Sequence, residues 1–82
     1  MWFRFGNRLT QVDEFQIIVE GRADGSLTYC LNAYKAGREM LVSYFHTKEE
    51  AYDALDYIEI LINLCLNHSN QGYVIDLDFE ND

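Results

Sequence analysis

The sequence predicts an α+β domain: an antiparallel β-sheet of four to five strands with one amphipathic helix packed on one face, in the order β-β-β-β-α-β. Three observations carry this. Apolar and polar residues alternate through most of 15–45, the period of a half-buried strand. Glycine-containing turns interrupt that alternation at Asp24-Gly25 and at Gly37. From Thr47 the apolar spacing changes to that of a helix. A chain of 82 residues makes one domain, 1–82, with a core that is adequate but small.

Trp2 to Phe5 is short, aromatic and apolar, and reads as a strand ended by a turn at Gly6-Asn7. Phe15, Ile17 and Val19 alternate with Gln16, Ile18 and Glu20 in a second strand. Leu27, Tyr29, Leu31 and Ala33 do the same in a third, and Glu39 to Phe45 forms a fourth. Both intervening loops, Ala23-Asp24-Gly25 and Lys35-Ala36-Gly37, place glycine third. That suits a three-residue loop ending in a left-handed glycine. The register that follows sets Val19 by Tyr29, Ile17 by Leu31 and Phe15 by Ala33. In the second hairpin it sets Tyr34 by Arg38, Leu31 by Leu41 and Leu27 by Phe45. A one-residue slip would send each apolar set to the wrong side.

Thr47-Lys48-Glu49-Glu50 is a capping box, with Thr47 as the cap and Glu50 reaching back. Glu49, Glu50 and Asp53 also suit the positive end of the helix dipole. Ala51, Leu55, Ile58, Ile62 and Cys65 follow helical spacing, and the helix is expected to end near Asn67 or His68, before Ser69-Asn70-Gln71-Gly72. Tyr73, Ile75 and Leu77 then alternate with Val74, Asp76 and Asp78 in a last strand.

The net charge of −8 is unevenly placed. Residues 1–46 carry five basic and five acidic side chains, whereas 47–82 carry Lys48 alone against nine acidic ones. Direct binding to nucleic acid is disfavoured, because phosphate contacts need a basic surface. A basic protein partner is the natural complement, and solubility is the plainer use of the same charge. Two acidic patches stand out. Glu49, Asp53, Asp56 and Glu59 lie on adjacent polar ridges of the helix. Asp76, Asp78 and Glu80 alternate along the last strand and project from one face at roughly 6.5–7 Å intervals. Each reads either as a solvated face or as a partner-binding surface. For the strand ladder a divalent ion is a third reading, although the glycine and final glutamate of a calcium loop are missing.

Nothing here calls for catalysis or a cofactor. There is no phosphate loop, nucleophile elbow or zinc spacing. His46 and His68 flank the helix on the order of 30 Å apart and cannot share a metal or a proton. Cys30 and Cys65 have no local basic neighbours and read as small buried hydrophobes. No apolar run exceeds three residues, so neither a membrane span nor a signal-peptide core is present, and a cytoplasmic protein is expected.

In the predicted register Ile18, Cys30, Met40, Val42 and Tyr44 share the sheet face opposite the helix. The late helix, Ile60 to Leu66, is apolar nearly all round. One helix on a sheet needs one apolar stripe. The surplus makes Ile18, Met40, Val42 and Tyr44 a candidate apolar interface, for a homodimer or another partner, unless the final strand or Trp2-Phe3-Phe5 covers it.

The stretch Phe15–Tyr57 runs from a strand (FQIIVE) through a glycine hairpin (ADGS), a second strand, a glycine turn (KAGR) and a third strand to a capped acidic helix (HTKEEAYDAL). In pattern and size it resembles small phage anti-CRISPR proteins. The resemblance implies a non-enzymatic inhibitor that binds a CRISPR effector and blocks its nucleic-acid site, with carboxylates standing where phosphates would lie. The alternative expectation is a small homo-oligomeric bacterial accessory protein with no inhibitory role.

Overall fold

The computed structural model describes residues 1–67 and 74–79. The fold is α+β, with six strands in two three-stranded sheets and one helix packed against them. Strands β1 (Trp2–Phe5), β2 (Arg8–Gln11), β3 (Glu14–Gly21), β4 (Leu27–Lys35) and β5 (Arg38–Phe45) precede helix α1 (Lys48–Asn67), and β6 (Val74–Asp76) follows it. One sheet has the order β2-β1-β6 and the other β3-β4-β5. The single sheet expected from the sequence is therefore divided. The chain leaves β2 and enters β3 through Val12 and Asp13, and β6 joins β1 in parallel, Phe3 opposite Ile75. Of the expected last strand, Ile75 lies in β6 and Leu77 just beyond it, and the Leu77 N–H reaches the Arg4 carbonyl at 2.8 Å. Tyr73, His68 and Glu80 lie outside the described residues.

The core is shared by both sheets. Phe3 and Phe5 from β1, with Ile75 and Leu77, meet Leu31, Ala33 and Phe45 around Ala51, Ala54 and Ile58 of the helix. The two alanines let α1 approach the β3-β4-β5 sheet closely, and Ile58 is fully buried in the same core. The Phe3 and Phe15 rings meet edge to face across the two sheets, with ring centres 5.1 Å apart.

The first hairpin has the expected register: Val19 faces Tyr29, Ile17 faces Leu31 and Phe15 faces Ala33. Its loop closes with Gly25 at φ 88°, donating to the Arg22 carbonyl at 3.0 Å. The Asp24 carboxylate accepts from the Ser26 N–H and hydroxyl at 2.9 and 2.6 Å, which holds its pKa below the usual value.

The second hairpin does not. Lys35 faces Arg38, so the loop is the two-residue Ala36-Gly37, both left-handed at φ 52° and 79°. This is the geometry of a type I′ turn. The cause lies outside the hairpin. Asp13 accepts the Ala36 N–H at 2.9 Å and the Lys35 ammonium at 3.3 Å, and both contacts depress the Asp13 pKa. That grip holds Ala36 where glycine would be the easy choice. A bulge at Val42 then resets the strand. Leu31 faces Ser43, not Leu41, and Tyr29 rather than Leu27 faces Phe45.

Thr47 caps the helix as expected, and Glu50 reaches back to the Thr47 hydroxyl in place of its backbone N–H. The Glu50 N–H donates to Thr47 Oγ1 at 3.2 Å, and the Thr47 hydroxyl donates to Glu50 Oε1 at 2.9 Å. Thr47→Ala is expected to cost about 1 kcal/mol. In a domain of this size the melting temperature then falls by roughly 4–8 °C. A calorimetric shift under about a quarter of that range would mean that the cap contributes nothing in solution.

Candidate functional site

The outward side of α1 is the most strongly charged surface. Ala51, Ala54 and Ile58 define the buried side. At 100° per residue, Glu49, Asp53 and Asp56 fall on the opposite side, within about 60° of one another. Glu59 lies one step further round from Asp56. All four are exposed, as is Glu50. Among the described residues none of the five makes an ion pair. The only base on the helix, Lys48, sits over the Tyr52 ring, 5.6 Å from its centre. Among the described residues the capping hydroxyl on Glu50 is the one side-chain hydrogen bond to these carboxylates. The positive end of the helix dipole partly offsets their repulsion.

Beyond Asp56 the same stripe changes character. Ile60 and Leu64 continue it on the exposed side, followed by Asn67. Beside them Tyr57, Leu61, Leu64, Cys65 and Val74 line an open hollow of about 330 Å³. The outward stripe is thus acidic for about two turns and apolar for about two more.

The second acidic patch is weaker. Asp76 is held by Arg4 at 3.4 Å, leaving Asp78 as its free member among the described residues; Glu80 lies outside them. The ladder presents less uncompensated charge than the helix.

The predicted apolar interface is divided by the Val42 bulge. Ile18 and Tyr44 lie on the sheet face away from the helix, on either side of Cys30. Met40 does not join them: it faces Ala33 and packs against the core, as does Val42. The reason is the two-residue turn, which shifts β5 by one place and reverses Met40. Leu41 takes the outward place opposite Asn32 and is exposed. On that face the middle strand carries Thr28, Cys30 and Asn32, small residues buried beneath longer neighbours. Thr28 accepts from Arg22 Nε, and Asn32 Nδ2 donates to Glu39 at 2.9 Å. Burial pushes the Cys30 thiol pKa up, and the Glu20 carboxylate adds to it.

One cluster has no counterpart in the sequence reading. Arg8, Lys35 and Arg38 gather around a hollow of about 360 Å³ with Glu39 and Met40. They come from β2, β4 and β5. In sequence they are dispersed through a half of the chain with no net charge, so only the two-sheet arrangement reveals them. His46 packs against Tyr44, with ring centres 6.2 Å apart. Among the described residues no group of three or more histidine, cysteine or carboxylate side chains could hold a metal ion. No described helix is long and apolar enough to cross a membrane. No protein-family model, curated protein or solved structure matches the chain.

Proposed function

We propose that this is a non-enzymatic binding protein of the cytoplasm whose acidic helix face occupies a basic, nucleic-acid-handling surface on another protein. The observation that carries the reading is the set of five exposed helix carboxylates with no ion-pair partner among the described residues. A helix selected for stability alone would place lysine or arginine four residues away from such groups. Here the charge is left for another molecule. Glu49, Asp53, Asp56 and Glu59 are spaced about 4.5–6 Å along a rigid axis, a row of fixed negative charge such as a phosphate-binding channel attracts. The resemblance to phage anti-CRISPR proteins points to a CRISPR effector as the partner and to inhibition as the result.

The test is competition. Binding to a CRISPR effector is measured with and without its nucleic acid, across a salt series. The protein and the nucleic acid are expected to exclude one another, and affinity to fall steeply with salt. Replacing Asp53, Asp56 and Glu59 with serine is expected to abolish binding while leaving the fold intact. Replacing Asp76 and Asp78 is expected to weaken it less, since Arg4 already neutralises Asp76. Unchanged affinity and salt slope in both variants would sink the reading.

A further inference from the structure

The sheet β3-β4-β5 has two edges, and they differ. Edge β5 is broken by the bulge at Val42, which spoils the repeat that an added strand would need. Edge β3 is eight residues long, has no proline and pairs without interruption along its whole length with β4. Among the described residues no strand lies on its other side. The Arg22 N–H bonds the Ser26 carbonyl, so the even-numbered residues of β3 direct their backbone groups toward β4. The backbone groups of Phe15, Ile17, Val19 and Gly21 therefore point out of the sheet. The helix does not reach the far end of this hairpin, where Val19 is 52% and Leu27 48% exposed.

We infer that β3 is a self-complementary edge, and that it pairs antiparallel with β3 of a second copy about a two-fold axis at Ile18. In that register Ile17 meets Val19, and Phe15 meets Gly21, each pair exchanging the outward backbone bonds. A side chain at Gly21 would meet nothing within 4 Å, so no group of the same chain stands over that end of the pairing. On the other face Ile18 meets Ile18, Gln16 meets Glu20, and Glu14 meets Arg22. The last pair occurs twice. Within one chain Glu14 and Arg22 stand at opposite ends of β3, roughly 27 Å apart, and neither has an ion-pair partner among the described residues.

Charge and strand length select this register over its neighbours. The two-fold axis must pass through a residue, because residues directly opposed across an antiparallel pair share a face. An axis at Ile17 would set Glu14 against Glu20, and one at Val19 would leave Glu14 opposite the hairpin turn with no strand residue to meet. Like charges directly opposed are destabilising. The resulting six-stranded sheet carries both helices on one face and leaves Glu49, Asp53 and Asp56, on the side of each helix away from the sheet, in solvent. The dimer thus stands independently of the proposed function.

Sedimentation equilibrium of the full chain at micromolar concentration and low salt tests the inference. The unaltered protein is expected at twice the mass of one chain. Glu14→Arg alone, or Arg22→Glu alone, is expected to weaken the dimer roughly tenfold to a hundredfold. The double swap is expected to restore it, since it reverses both pairs at once. Val19→Pro removes an outward N–H that makes no bond in the single chain and is expected to give a monomer. Thermal melts confirm that each variant is folded. A monomer for the unaltered protein, a dimer that persists in Val19→Pro, or a double swap without rescue would each overturn the pairing.

Discussion

Ile58→Ala is expected to cost about 2–5 kcal/mol, the range for an aliphatic side chain removed from a closed core. Ile58 is 1% exposed and belongs to the core cluster to which both sheets contribute. A domain of 82 residues has a total stability of about 4–12 kcal/mol, so this one change removes a large share of it. The melting temperature is expected to fall by roughly 8–40 °C. Ile60→Ala is the control. Ile60 is 56% exposed, and its loss is expected to stay within about 0.5 kcal/mol. Equal losses at both positions would mean that the helix is rotated from the phase described.

Phe3→Ala is expected to cost about 3–5 kcal/mol. Phe3 belongs to the β2-β1-β6 sheet, and its ring meets that of Phe15 in the other sheet edge to face. A double-mutant cycle with Phe15→Ala isolates the contact, and a coupling of about 0.5–1.5 kcal/mol is expected. Strict additivity would show that the sheets are held together through the helix and not through this ring pair.

These expectations rest on features of unequal legibility. The helix was readable throughout, because its cap, charge pattern and apolar spacing all lie within twenty consecutive residues. The first hairpin was equally plain: Gly25 fixes the loop, and the alternation on both sides agrees with it. The second hairpin was not, because Asp13, 23 residues before Ala36, decides its turn. No local pattern distinguishes Ala36 held by a distant carboxylate from Ala36 inside a longer loop. That single difference reversed Met40 and, with the bulge, divided the predicted apolar interface. Strand β2 escaped because Arg8, Leu9 and Gln11 are all exposed, which leaves no apolar alternation to detect. Its pairing with β1 alone makes it a strand. The acidic helix face was legible as composition. Its lack of internal partners became visible only when Lys48 was found over Tyr52 and Arg4 at Asp76.

The parallel pairing of β1 with β6 also orders events in time. Trp2 meets Val74, so β1 waits for β6 across a separation of 72 residues (74 less 2). The length-dependent entropy of closing such a span is about 4 kcal/mol. The two hairpins of β3, β4 and β5 close over only a few residues each. During synthesis the β3-β4-β5 sheet and α1 are complete before β6 exists. Until β6 emerges, Phe3 and Phe5 have β2 on one side and no strand on the other. The nascent chain therefore carries an aromatic, half-paired edge from the synthesis of β1 until that of β6, an interval in which exposed apolar surface and an unpaired strand edge invite capture by chaperones or by another unfinished chain.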